Sequence, residues 1–256
     1  MIVLGIESCG DIGSVALANE EKIIGEITIN VKKNHSITLA PMVADLLKLA
    51  NIEVKDLDAI AVDVGPGSFT GLRIGISLAA SLAYGQDLPV VRVTGLDCLF
   101  SIGSRLFSVN DDEVVDSVVV IPLIFGRKNE AYVLYEDEAK VVDAVEFLSG
   151  LKRDVKYLFI GDGYLAFKEL IIELGLDCVE VDESFHYIKG NNIASCGLVG
   201  LSEGKGISPL SVEPLYLRRP EVDINLEKKL DSNVSCKDSL FEDTRGQNKF
   251  RNEDKK

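Results

Sequence analysis

DVGPGSFTGLRIGISLAASLAY, residues 63–84, joins a short apolar run to a long apolar segment through Gly65-Pro66-Gly67. The run Ala59 to Val64 is partly β-branched and stops at the glycines, so it reads as a buried strand entering a tight turn. Ser68 is placed to cap the helix that follows. That helix is apolar or small almost all round, and Arg73, Ser77 and Ser81 form only a thin polar row at i, i+4, i+8. A glycine inside a helix costs roughly 1 kcal/mol relative to alanine. The row Gly71, Gly75 and Ala79 therefore predicts that another element, expected to be a helix, approaches closely. The turn has a chemical reading too: Gly65, Gly67 and Ser68 would let the backbone and the first helical amides meet an anion. A plain chain reversal fits the glycines equally well, and Arg73 near the helix start asks for an anionic partner, carboxylate or phosphate.

Working outward, Ile2–Glu7, Ser14–Ala18 and Lys22–Val31 read as three strands, with a turn at Ser8–Ile12. A helix is predicted over Ser36–Ala50, capped by Asn51, then a strand at Pro89–Val93 and a helix over Leu96–Phe107. The second half repeats the theme. Strands are expected at Val114–Ile124 and Glu130–Tyr135, joined at Gly126-Arg127-Lys128-Asn129, followed by a helix over Asp143–Leu151 and a strand at Tyr157–Ile160. Gly161-Asp162-Gly163 then precedes a helix over Tyr164–Leu174, a strand at Asp177–Val181 and a small-residue helix over Asn192–Glu203, expected to pack on the first domain. Residues 221–256 carry 17 charges in 36 positions with little apolar periodicity and read as a disordered tail.

The chain has 256 residues, 46% of them hydrophobic, enough for a sizeable core in one or two domains. Its net charge of −14 lies almost wholly before residue 221, so it should repel a phosphate backbone, and any RNA must be held by a partner. Cys9, Cys98, Cys178, Cys196 and Cys236 include no C-x-x-C pair, which fits free thiols in a reducing compartment. Without a signal-like start or a membrane-length run, the expectation is a cytoplasmic protein.

The eleven residues GPGSFTGLRIG, Gly65 to Gly75, resemble the signature of the TsaB (YeaZ-type) family, a subunit of the bacterial machinery that makes threonylcarbamoyladenosine in tRNA. His35 in HSITLAP and Pro214-Leu215-Tyr216-Leu217-Arg218 resemble further motifs of that family. The likeness spans roughly residues 1–220. It implies an α/β, actin-like (ASKHA, ribonuclease-H-like) fold of two related halves, residues 1–108 and 109–220, which the order of the predicted elements also suggests. It further implies a non-catalytic scaffold that pairs with a TsaD-like catalytic subunit through a helix bundle and works with a TsaE-like ATPase. The scaffold would form a homodimer when alone and meet tRNA only through the complex. No cofactor is expected to be tightly bound; ATP or ADP with magnesium at the subunit interface is the expectation for the assembled complex.

Ile37, Met42, Leu46, Gly71, Arg73, Gly75, Ser77, Ala79 and Leu82 are the candidate interface residues. The candidate nucleotide or phosphate residues are Glu7, Asp11, Gly65, Gly67 and Ser68, with Glu7 and Asp11 able to help hold magnesium or to stand as a solvated pair. Two departures from the family pattern stand out: Glu7 where Asp is usual, and Phe125-Gly126-Arg127 where an Asp-Ala-Arg run is usual. His35 reads best as a helix-starting side chain. Arg127 and Lys128 read either as an anion patch or as solvated hairpin charges, and Asp162 as a nucleotide contact or an N-cap. His35 and His186 are the only histidines and form no H-x-x-x-H, so neither a TsaD-like metal centre nor a zinc peptidase is expected. The alternative reading is a stand-alone ATP-dependent actin-fold kinase for a small molecule, for which the sequence supplies no identifiable catalytic carboxylate.

Overall fold

The computed structural model describes residues 1–31, 34–107 and 118–217, and Met1–Leu217 forms one compact unit. The 108/109 boundary, the start of the strand predicted from Val114, Arg218 and the tail 221–256 lie outside the described residues. The first half comprises β1 (Ile2–Glu7), β2 (Gly13–Asn19), β3 (Ile23–Ile29), α1 (His35–Ala50), β4 (Ala59–Asp63), α2 (Phe69–Gly85), β5 (Val90–Val93) and α3 (Gly95–Phe107). The second comprises β6 (Val119–Arg127), β7 (Glu130–Tyr135), β8 (Glu138–Asp143), α4 (Ala144–Ser149), β9 (Lys156–Ile160), α5 (Asp162–Glu173) and β10 (Asp177–Cys178), followed by α6 (Gly190–Ser202) and β11 (Gly206–Ile207).

Two sheets share one plan. The first runs β3-β2-β1-β4-β5, extended by β11, and the second runs β8-β7-β6-β9-β10. In each, three antiparallel strands come first, and the fourth strand then pairs parallel with the first: β1 with β4, and β6 with β9. This duplicated topology is the ribonuclease-H-like plan of the actin-like fold.

α1 and α2 cover one face of the first sheet. In α1, Leu39, Met42, Val43, Leu46 and Leu47 recur at i, i+3, i+4, i+7, i+8 and are all buried against the sheet. Each such side chain contributes about 1.5–3 kcal/mol when removed from water. Asn51 ends the helix in the left-handed conformation at φ 54°. α6 covers the opposite face, contacting β1, β2, β4 and β5. It sits so close that a Cβ on Gly5 would collide with the backbone of Gly190 and Ala194.

The structure departs from the sequence reading in several places. β6 runs on through Phe125 to Arg127 because a register shift there keeps it paired with β7. β8, unread in the sequence, is a half-exposed edge strand, and the strand expected at 177–181 pairs only over Asp177–Cys178. Most consequential is α2: Gly71, Gly75 and Ala79 face inward. A Cβ on Gly71 would strike the Ser8 carbonyl, and one on Gly75 the Ser8 hydroxyl. The element that comes close is therefore the β1–β2 turn and not a partner's helix. Met42 and Leu46 are likewise core residues, so of the candidate interface positions these five belong to the chain's own interior.

Candidate functional site

β1 and β4 run parallel with Ile6 beside Val62, so the next residues, Glu7 and Asp63, end side by side. Ligands of open α/β sheets gather at this carboxyl end of the strands. A cleft of about 900 Å³ opens there, lined by Glu7, Asp11, Asp63, Ser68, Phe125 and Asp162 among others.

The floor is held by backbone amides. Glu7 Oε1 accepts from the Cys9 amide at 2.6 Å and from the Gly10 amide at 3.3 Å, while Asp63 Oδ1 accepts from the Gly65 amide at 2.7 Å. The second oxygens, Glu7 Oε2 and Asp63 Oδ2, have no hydrogen-bond donor, although Glu7 is 2% exposed and Asp63 0%. Burial pushes the Glu7 carboxyl well up, and the charge of Asp63 pushes it further. Burial raises Asp63 too, against the contact of the Glu7 carboxyl and the Gly65 amide, which favour its charged form. Two like groups this close cannot both stay ionised at ordinary cost, so a proton or a cation must lie between them.

Gly67 packs on Cys9, and Ser68 caps α2 by accepting from the Gly71 amide at 3.2 Å. Ser8 Oγ donates to the Gly71 carbonyl at 2.9 Å, tying the same turn to the helix. His35 Nε2 meets the Gly10 carbonyl at 2.9 Å, with Gly13 leaving room for the ring, so this histidine fastens the β1–β2 turn to α1. The expected Glu7–Asp11 pair is not assembled: Glu7 lies on the floor against Asp63, and Asp11 is exposed on the rim. Arg73, for which an anionic partner was expected, lies 4.0 Å over the Phe69 ring and donates to the Tyr216 hydroxyl at 3.2 Å. Phe69 in turn stacks on Tyr216, while the Leu215 amide bonds the Val64 carbonyl, so the Pro214–Leu217 segment straps the signature turn.

Across the cleft, Arg127 pairs with Glu130 at 3.3 Å. Asp162 Oδ1 accepts from the Phe125 amide at 2.8 Å, and burial raises its carboxyl. Sequence reasoning overlooked Asp63 and Cys9. Asp63 closes an otherwise apolar strand, and only its register with Glu7 discloses its setting.

A family model described as "TsaD: tRNA N6-adenosine threonylcarbamoyltransferase" matches residues 22–170, more than half of the chain. The tRNA threonylcarbamoyladenosine biosynthesis protein TsaB of Bacillus subtilis (strain 168) is 30% identical over 182 residues, 67% of this chain and 75% of that one. The chain belongs to the TsaB (YeaZ-type) family. TsaB of Escherichia coli (strain K12) is 27% identical over 230 residues, 85% of this chain and 95% of its own length. In fold, the chain matches YeaZ from Pseudomonas aeruginosa at a TM-score of 0.65 and 23% identity, covering 84% of this chain and 99% of that one. Among the described residues no helix is long and apolar enough to cross a membrane.

Proposed function

We propose that the chain is a non-catalytic scaffold and activator of tRNA N6-threonylcarbamoyladenosine synthesis, and that it pairs with a TsaD-like catalytic subunit through the outer faces of α1 and α2. The observation that carries this reading is the apolar character of those faces. Ile37 is 71% exposed, Leu49 81%, Tyr84 66% and Phe69 46%, with Arg73 and Ser77 beside them and Leu82 half-buried. A helix pair with core on one side and large apolar side chains on the other asks for a second cover. In the absence of the catalytic subunit, a second copy of the chain would serve in a homodimer. The acidic body fits a subunit that meets tRNA only through its partners, with a TsaE-like ATPase completing a cytoplasmic assembly. ATP or ADP with magnesium would be held over Asp11 and the Gly67-Ser68 start of α2, where the positive end of the helix suits phosphate.

The test is light scattering of the full-length chain alone and mixed with the TsaD-like protein from the same cell. The expected result is a complex of defined mass that Ile37→Glu and Leu49→Glu abolish. Unaltered association in both variants would overturn the assignment of this face. The stand-alone kinase reading gains one observation, since Asp63 and Asp162 both line the cleft. Steady phosphoryl transfer from ATP by the isolated chain, surviving further purification, would favour it over the scaffold.

A further inference from the structure

Glu7, Cys9 and Asp63 bring one ligand atom each, two carboxylate oxygens and a thiol sulfur, to within 4.8 Å of one another, and all three side chains are buried. Their arrangement is not that of a solvated acidic patch. Each carboxylate spends one oxygen on backbone amides and keeps the other buried without a hydrogen-bond partner. The thiol reaches the Asp63 carbonyl at a long 3.5 Å and also bears on the Asp63 carboxyl. Among the described residues no lysine or arginine is one of the groups acting most strongly on either carboxyl, and the chain as a whole carries −14. The three residues also line the cleft, so an ion has a way in.

We propose that Glu7, Cys9 and Asp63 bind one thiophilic divalent cation of the Zn²⁺ class at the floor of the cleft, leaving its fourth position facing the cleft. Magnesium and calcium prefer all-oxygen sites, whereas two carboxylates with a thiolate suit zinc. A tetrahedral ion needs its ligand atoms roughly 3.5 Å apart, a spacing inside the 4.8 Å within which these three atoms already lie. Binding releases the thiol proton and any proton held between the carboxyls to solvent. The site stands on this chain's own residues and is independent of the scaffold reading.

The experiment uses the untagged full-length chain, stripped with a chelator and titrated with Co²⁺ as the spectroscopic stand-in for Zn²⁺. The expected result is one ion per chain, with a sulfur-to-cobalt charge-transfer band and tetrahedral d–d bands that Zn²⁺ displaces. Zn²⁺ at a hundredfold excess over Kd should raise Tm by roughly 6 °C. Cys9→Ser should remove the charge-transfer band, and Glu7→Gln and Asp63→Asn should each weaken binding at least about tenfold. The two amide variants differ little in shape from the native side chains, and circular dichroism checks their fold. Three outcomes overturn the site: no thiolate band in the native chain, full affinity retained in Asp63→Asn, or a band lost only when the neighbouring thiols Cys98 and Cys196, 3.8 Å apart, are changed. A Tm raised by Asp63→Asn in a native chain indifferent to every cation would also overturn it, leaving a shared proton as the tie between the carboxyls.

Discussion

The two strand-to-helix turns of this molecule occupy matching places in its two sheets and fasten the same backbone group by different chemistry. After β4, Gly65 takes φ 108° and its amide is held by Asp63 Oδ1; after β9, Gly161 takes φ 122° and its amide is held by His186 Nδ1 at 3.3 Å. At the strand ends the contrast is sharper still. One residue past the last paired positions, the first sheet offers Glu7 and Asp63 where the second offers Leu123 and Gly161. The plan therefore needs a clasp on each turn but not a charge, and the pair of acids on one side of the cleft is an addition that the fold itself does not demand.

Substitutions at these turns can break or sharpen that comparison. The largest effect is expected from Gly161→Ala, because φ 122° with ψ 167° is open almost only to glycine and a Cβ there would strike the Leu123 carbonyl. A cost of about 3 kcal/mol or more corresponds to a Tm lowered by roughly 6–12 °C in calorimetry. Gly65→Ala should cost less, since its nearest atoms, Leu215 O at 3.1 Å and the Leu72 methyls, have more room to give. Equal losses at both turns would show that the backbone angle alone governs them.

Gly75→Leu comes next. Its side chain would enter the space of Ser8, so the expected loss is about 1–3 kcal/mol of stability in urea unfolding. A variant with native stability and weakened association would instead return the small-residue row to an interface.

His186 gives a smaller, pH-dependent effect. Burial lowers its pKa below the ordinary value of 6.5, against the smaller opposing pull of the nearby Glu183 charge. The unfolded chain then takes up a proton that the folded one refuses as pH falls below 6.5. Stability is fully present above that value and declines toward the folded pKa, by about 1.4 kcal/mol for each unit between the two. His186→Gln should flatten this slope in Tm measured from pH 7.5 to 5. An unchanged slope would assign it to other groups. The smallest effect on stability, within about 0.5 kcal/mol, is expected for Ile37→Glu and Leu49→Glu, whose side chains stand in solvent.

Local chemistry made much of this legible. Gly65-Pro66-Gly67 with Ser68 announced a strand, a turn and a capped helix, and Asn51 announced a left-handed stop, because each acts within a few residues of itself. The facing of α2 was not legible: a row of small residues looks the same whether a partner or the chain's own turn lies against it, and Ser8 is 63 positions from Gly71. The Glu7–Asp63 pair was hidden for the same reason, since an acid at the end of an apolar strand acquires its meaning only from the neighbouring strand. β8 was hidden by composition: EAKVVD is an edge strand whose exposed residues blur the alternation that marks a strand.

The placement of α6 has a consequence for the order in which the molecule can be made. Its residues Gly190–Ser202 close the face of the first sheet formed by Val3, Ala59, Ala61, Val91 and Val93, and the Gly190 amide reaches back to Ser14 Oγ at 2.8 Å. On a ribosome adding roughly 5–20 residues per second, the ~100 residues between β5 and the end of α6 take about 5–20 s. Throughout that interval the nascent first half has β1 to β5 complete and one apolar face bare. The newborn chain should thus be a client for chaperones at a defined moment, after residue 93 and before residue 202 has left the exit tunnel.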